Sequence, residues 1–130
     1  MQGKMNTNSI ILVIGATREE ALHIEKCLKD WEYEIVPLND EGTGIEIPIP
    51  ETSNLMLVYA QKEPENTIAI CEQLRKDPKR ATVKILLVIG RYKMDQFYEL
   101  SRRMGNIVTI ITPFSKEDIC ARIEEILRTT

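Results

Sequence analysis

Four short runs of apolar residues, separated by longer segments of mixed polarity, constrain the fold of this chain most. The runs are Ile10–Ile14, Leu55–Tyr59, Val83–Ile89 and Ile107–Ile111. Continuous apolar runs of this length are typical of strands that are buried on both faces of a parallel sheet. A β-rich stretch, Tyr33–Leu38, adds a fifth strand. The pattern predicts an α/β protein, a three-layer α/β/α sandwich with a five-stranded parallel sheet in the middle.

The segments between the strands carry the spacing of amphipathic helices. Three are predicted over Thr17–Asp30, Glu65–Lys76 and Met94–Met104, and Ser115 caps a last helix. Apolar residues recur in them every three to four positions, as in helices that bury one side. Gly105 suits the left-handed conformation that often ends a helix.

The stretch between the second and third strands, Asn39–Ser53, is the least regular part of the chain. Pro48 and Pro50 each lack a backbone donor and prevent a regular helix there. We therefore expect the helix of this connection to be short or missing.

Length and charge narrow the classes of protein that the chain can belong to. Its 130 residues fit one domain, and we expect a flexible N-terminus over residues 1–8 and a single domain over residues 9–130. A net charge of -3 disfavours nucleic acid as a partner. No apolar run approaches the ~20 residues that cross a bilayer, and the N-terminus lacks the apolar core of a signal peptide. We expect a cytoplasmic protein without membrane contact.

The cysteines and the single histidine do not indicate a metal site. Cys27, Cys71 and Cys120 have no CxxC spacing and lie beside apolar residues, so we interpret them as small buried hydrophobic residues. His23 has no partner at ligand spacing and is interpreted as a surface residue. We expect no metal site and no cofactor.

In a parallel sheet, ligands bind at the carboxyl ends of the strands, where the strand order reverses. The residues at or just after these ends are Gly15, Ala16, Tyr59, Ile89 and Thr112. None of them is a carboxylate, whereas Mg²⁺ is usually bound through one or two carboxylates. Glu19 and Glu20 are close in sequence, but we expect them in the first helical turn and pointing away from the crevice.

Three segments resemble one known family in their order and spacing. Glu65–Pro78 is similar to the third helix of bacterial response-regulator receiver domains and its trailing Asp-Pro. Val83–Ile89 is similar to their fourth strand, and Thr112–Phe114 to their Lys-Pro-Phe turn. The resemblance extends from about Ser9 to Arg128. It implies the flavodoxin-like (CheY-like) fold with strand order 2-1-3-4-5.

The family transfers phosphate with an acidic pair after the first strand, an aspartate after the third, a hydroxyl residue after the fourth and a lysine after the fifth. In this sequence the corresponding residues are Gly15, Ala16, Tyr59, Ile89 and Thr112, and the aromatic switch residue of the fifth strand corresponds to Thr109. All six depart from the family pattern. The resemblance therefore implies a degenerate pseudo-receiver that is not an enzyme and has lost its phosphorylation site.

The resemblance also has consequences for the last turn. The Lys-Pro bond of the family is typically cis, so we expect a cis bond between Thr112 and Pro113. Phe114 is expected to pack beneath the turn as part of the core and not to bind a ligand.

The leading hypothesis is a phosphorylation-independent signalling module of a two-component-type pathway, which binds another signalling protein or an effector domain. Receiver-like domains commonly use the face formed by their fourth helix, fifth strand and fifth helix, and a homodimer through that face is a second form of the hypothesis. Tyrosine and arginine, which are enriched at binding hot spots, occur there. The candidate interface residues are Tyr92, Lys93, Gln96, Tyr98, Arg102, Arg103, Thr109 and Lys116.

Two other classes of function are weighed against it. A sensor of a small ligand or anion would use Tyr59, Thr17, Thr112 and Arg91 at the strand ends. An enzyme that binds a dinucleotide would use the loop that begins at Gly15, but the G-x-G-x-x-G spacing is missing.

Overall fold

Strands and helices alternate along the chain in the computed structural model, which describes residues 10–38, 44–45, 53–78, 82–90 and 94–128. The elements are β1 (Ile10–Ile14), α1 (Arg18–Cys27), β2 (Glu32–Val36), β3 (Ser53–Tyr59), α2 (Pro64–Lys76), β4 (Lys84–Gly90), α3 (Met94–Met104), β5 (Ile107–Thr112) and α4 (Lys116–Arg128). The predicted strands and helices within these ranges are all present, with ends that differ by a few residues.

The five strands form one sheet with the order β2-β1-β3-β4-β5. Every neighbouring pair is parallel, so the predicted fold class and strand order are confirmed. The chain leaves β1 toward β2 on one side and returns to place β3 on the other. The carboxyl ends of β1 and β3 therefore meet where the strand order reverses, with Ile14 paired to Val58.

Alternate residues of the central strands face two separate hydrophobic cores. Ile11 and Val13 of β1 point toward the core that α1 and α4 cover. Leu12 and Ile14 point toward the core that α2 and α3 cover, where Phe97 is almost fully buried. Strands enclosed on both faces in this way explain the continuous apolar runs in the sequence.

Helix α1 begins where it was predicted to begin and ends earlier. Thr17 is its N-cap: the Thr17 hydroxyl accepts a hydrogen bond from the Glu20 N–H, and the Glu20 carboxylate accepts one from the Thr17 N–H. The helix ends at Cys27 with Leu28 as C-cap, not at the predicted Asp30. In the described part of the chain, no helix combines the length and the apolar character needed to cross a membrane.

The last helix and the turn before β5 have the predicted end signals. Gly105 has a φ of 68°, in the left-handed region that glycine adopts at helix ends. Ser115 caps α4, since its hydroxyl accepts a hydrogen bond of 3.0 Å from the Asp118 N–H.

Part of the connection between β2 and β3 is held by helix α2. Leu38 and Ile45 form an isolated antiparallel bridge. The Gln73 side chain accepts a hydrogen bond from the Ile45 N–H at 2.9 Å and donates one to the Ile45 carbonyl at 3.0 Å. The prediction of a short or missing helix concerns residues 39–43 and 46–52, which lie outside the described residues, as does the predicted flexible N-terminus.

Candidate functional site at the strand ends

Tyr59 ends β3 and turns its ring into the core beneath α1 and α4. The residue is only 2% exposed, and its Oη atom is buried without a hydrogen bond to any described residue. Burial, reinforced by the carboxylate of Glu20 and by Cys27, raises the pKa of Tyr59 above its usual value. The phenol is therefore neutral at about pH 7. A neutral, buried phenol is neither a good nucleophile nor a good ligand for a hard cation.

The side chain of Gln61 closes the crevice between β1 and β3. Its Nε2 atom donates hydrogen bonds of 2.9 Å to the carbonyl oxygens of both Gly15 and Tyr59. Its backbone N–H donates to the hydroxyl of the fully buried Thr67 at 2.7 Å. Two carbonyl oxygens that could face a cation at this edge of the sheet are thus satisfied by a neutral amide.

The backbone conformation of Gly15 and its lack of a side chain leave space for this amide. Its φ of 81° lies in the left-handed region. A Cβ atom at this residue would lie 2.5 Å from Gln61 Nε2 and 3.3 Å from the Tyr59 carbonyl oxygen. An acidic side chain has no room here while Gln61 keeps its position. Gln61 follows the third strand in the sequence, but sequence reasoning assigned it no role, because an uncharged amide indicates no chemistry until its partners are known.

The remaining strand-end residues divide between the two faces of the sheet. Ile89 is 2% exposed and packs in the core under α2 and α3. Ala16 is half-buried and packs on the opposite core, beside Tyr59. Thr112 is half-buried, and the Thr112–Pro113 bond is cis, the isomer that the resemblance predicts.

A cavity of about 380 Å³, which we call the Tyr59 cavity, lies between α1 and the turn that follows β5. It is lined by Glu19, Glu20, His23, Tyr59, Thr112, Pro113 and Phe114. The expectation that Glu19 and Glu20 point away from the strand ends is wrong. Because Thr17 starts α1 so soon after β1, the first helical turn lies over the end of the sheet, and both carboxylates reach the cavity wall.

Phe114 and His23 pack against each other in the wall of the same cavity. Phe114 packs against the core, as predicted, but it is only half-buried and also lines the cavity. Its ring centroid lies 5.4 Å from that of His23, with the planes tilted by 47°. His23 is an exposed residue, as predicted, but the prediction that it has no partner at ligand spacing is wrong, since its Nε2 atom lies 4.0 Å from the Sγ atom of Cys27, four residues along α1.

The described residues offer no evident metal centre. Among them, no group of three or more His, Cys, Asp or Glu side chains could hold a metal ion. Cys27 and Cys71 are buried, Cys120 is half-buried, and all three are free thiols. Burial raises the pKa of Cys71 to about 11, so its thiol stays protonated.

The candidate interface formed by α3, β5 and α4 is partly described. Tyr98 is 63% exposed, and the Arg102 guanidinium lies 5.7 Å from the centre of its ring. Arg102 also pairs with Glu99 at 3.2 Å, and Arg103 lies 3.6 Å from Glu72 on α2. Lys116 is exposed and Thr109 half-buried. Arg91, Tyr92, Lys93 and the side chain of Gln96 lie outside the described part of the chain.

Comparison with known proteins gives relatives by structure and none by sequence. No protein-family model and no curated protein matches the sequence. The signal receiver domain of a histidine kinase from Syntrophus aciditrophicus superposes with a TM-score of 0.68 and 16% identity, over 93% of this chain and 91% of that one. The chain has the receiver fold.

Two further structures are similar over comparable lengths. The N-terminal signal receiver domain of a two-component response regulator from Bacteroides fragilis has a TM-score of 0.71 and 8% identity, with 92% of this chain and 96% of that chain covered. The chemotaxis protein CheY4 from Vibrio cholerae has a TM-score of 0.65 and 10% identity, with coverage of 92% and 98%. At such low identity these likenesses establish the fold alone, and function must be argued from the site.

Proposed function

We propose that this chain is a signalling module of a two-component-type pathway that works through protein–protein contacts, without phosphorylation and without catalysis. The observation that carries the proposal is Tyr59. A buried, neutral phenol occupies the strand end where the resemblance places a phosphate-accepting aspartate. The Gln61 amide, bonded to the carbonyls of Gly15 and Tyr59, supports the same conclusion, because it occupies the crevice with a neutral donor.

The output surface in this proposal is the face of α3, β5 and α4. Among its described residues, the exposed aromatic side chain is Tyr98, and the Arg102 guanidinium lies 5.7 Å from the centre of its ring. An aromatic and arginine pair of this kind is typical of residues that dominate binding energy. The partner is another signalling protein, an effector domain or a second copy of the chain, in the cytoplasm.

The first experiment tests the phosphorylation site by amide NMR on the labelled full chain. Mg²⁺ is added, followed by beryllofluoride as a phosphate mimic, and a receiver domain that is known to be phosphorylated serves as the positive control. The proposal expects no saturable shift at Gly15, Tyr59, Ile89 and Thr112. Saturable shifts centred on these residues would show that an acceptor site is present and would overturn the proposal.

The second experiment tests the output surface by photo-crosslinking in the cells that make the protein. A photoreactive phenylalanine replaces Tyr98, and in a matched control it replaces Leu22 on α1, which is similarly exposed at 56% against 63% for Tyr98. The proposal expects a discrete crosslinked partner from residue 98 and none from residue 22. Crosslinking from residue 22 alone would show that the partner contacts α1 and not the face of α3, β5 and α4, and would contradict the proposed output surface.

A sensor of anions is not favoured by the site. The Tyr59 cavity is lined by the carboxylates of Glu19 and Glu20, which repel anions. Tyr59 and Thr112 do line it, but Thr17 is not part of its wall.

A further inference from the structure

The Tyr59 cavity has the size of a small-molecule site. Its volume of about 380 Å³ falls within the roughly 300–1,000 Å³ of known ligand pockets. It lies at the carboxyl ends of β3 and β5, on the edge of the sheet where folds of this type bind ligands. Mostly apolar walls with a few polar groups are also usual for such pockets.

The polar groups of the wall give the cavity a negative character. Glu19 and Glu20 both line it, and the described residues of the wall include His23 but no lysine or arginine. The capping interaction fixes Glu20, whose Oε1 accepts the Thr17 N–H at 2.8 Å. The second oxygen of that carboxylate is left for a ligand. A positively charged group gains a charge-assisted hydrogen bond at this point.

Three rings complete the wall. His23 and Phe114 pack against each other, with ring centroids 5.4 Å apart and planes tilted by 47°, and Tyr59 also lines the cavity. The faces of aromatic rings attract cations through their quadrupole, most strongly where water is partly excluded. Carboxylates together with ring faces are a combination suited to an organic cation with a small apolar body.

The Tyr59 hydroxyl supplies an independent observation. It is buried in the wall of the cavity and forms no hydrogen bond with a described residue. Buried polar groups are nearly always paired, so an unpaired hydroxyl next to a cavity indicates a missing partner. An N–H group of a bound cation would donate to the neutral phenol oxygen.

We propose that the Tyr59 cavity binds a small organic cation, an alkylammonium group, through the carboxylates of Glu19 and Glu20, the rings of His23 and Phe114, and the Tyr59 hydroxyl. A free amine and the lysine side chain of a partner carry the same group. This inference does not depend on the proposed protein–protein function, and either can fail alone.

The test is an NMR titration of the full chain with n-butylammonium chloride as the probe. Sodium butyrate at the same ionic strength is the control for charge. We expect saturable shifts of the Glu20, His23 and Phe114 amides and of the Tyr59 ring with the ammonium ion, and none with butyrate. A lysine-containing peptide that binds more tightly than butylammonium would identify a protein side chain as the source of the cation, and equal affinities would identify a free amine.

Three variants separate the site from nonspecific charge effects. Glu20→Gln preserves a side chain that can cap α1 and should weaken butylammonium binding about tenfold. Tyr59→Phe keeps the ring and should weaken it severalfold. Glu124→Gln, an exposed residue of α4 outside the cavity, should leave it unchanged. No saturable shift with butylammonium, equal shifts with butyrate, or equal losses in Glu20→Gln and Glu124→Gln would overturn the proposal.

Discussion

The Nε2 atom of Gln61 lies 2.9 Å from the carbonyl oxygen of Gly15 and would lie 2.5 Å from a Cβ atom at that residue. The two residues are therefore matched. Glycine at position 15 makes room for the amide, and the amide satisfies the carbonyl that the left-handed turn of Gly15 presents. Their contact joins the ends of β1 and β3 where a ligand crevice would otherwise open.

Gly15→Ala should lower the free energy of unfolding by about 2 kcal/mol, because the left-handed backbone and the close approach of Gln61 both penalise a Cβ atom. Urea denaturation measures the change. Gly90→Ala is the matched control, since no atom lies within 4 Å of its added Cβ, and should alter stability by less than about 0.5 kcal/mol.

A second background separates the two causes. In a protein that already carries Gln61→Ala, the Gly15→Ala change should lower the free energy of unfolding by measurably less. Only the backbone strain and the contact with the Tyr59 carbonyl then remain. An equal cost with and without Gln61 would show that the amide does not limit residue 15.

Gln61→Glu should destabilise the protein at about pH 7 by roughly 2–4 kcal/mol, since a carboxylate would face two carbonyl oxygens and lose both hydrogen bonds. Because this environment favours the protonated carboxyl, the introduced group should have a raised pKa in the folded protein. The penalty should therefore shrink as the pH falls toward about 4 and grow as the pH rises.

Gln73→Glu is the control for this change. Gln73 also uses its side-chain oxygen and nitrogen on backbone groups, but it is exposed, so a smaller loss is expected. A penalty of Gln61→Glu that is independent of pH would contradict the proposed arrangement of the crevice.

Tyr59→Phe should raise the free energy of unfolding at neutral pH by about 1 kcal/mol, because it removes a buried hydroxyl without a described partner. Burial also raises the pKa of Tyr59 in the folded protein, so the unfolded chain releases this proton first, from about pH 10 upward. The free energy of unfolding of the unmodified protein therefore falls as the pH rises past about 10. In Tyr59→Phe, which lacks this titrating group, it should fall by less.

Chemical denaturation between neutral and alkaline pH measures both effects of Tyr59→Phe. Tyr98→Phe, at an exposed ring, is the control and should leave the stability at neutral pH within about 0.5 kcal/mol. A loss of stability in Tyr59→Phe at neutral pH would mean that the hydroxyl has a partner in solution.

Arg75→Lys should lower the free energy of unfolding by about 1–2 kcal/mol. The Arg75 guanidinium donates to the carbonyl of Val83 at 2.7 Å and to those of Gly105 and Asn106 at 3.2 Å each. A lysine ammonium cannot span these three acceptors. Arg102→Lys, at an exposed ion pair, should have almost no effect, and equal losses in the two variants would contradict this role of Arg75.

The sequence predicted the layers and the order of the elements because burial on both faces has a direct sequence signature. The four apolar runs became β1, β3, β4 and β5, and the strand order followed from the resemblance. Helix ends were less certain. Leu22 is 56% exposed, because it lies two residues from Ile24 and six from Leu28, and these spacings place it on another side of the helix.

For the site at the strand ends, the sequence predicted only which phosphotransfer groups of receiver domains are absent. The sequence showed that Tyr59 is not an acid, but not that its ring is buried or that Gln61 bonds across to β1. It also placed Glu19 and Glu20 on the wrong side. The contact of Gln61 with Gly15 joins residues 46 positions apart, and local sequence patterns do not predict that distance.

Gln73 holds residue 45 through its backbone N–H and carbonyl only. Such a contact does not distinguish one side chain from another, since every residue except proline offers the same two groups. The anchor on α2 therefore does not depend on the side chain at position 45, which packs separately against the core that α2 and α3 cover. A substitution at position 45 by any residue other than proline keeps both hydrogen bonds to Gln73, so it changes the packing of the side chain without detaching the backbone from α2.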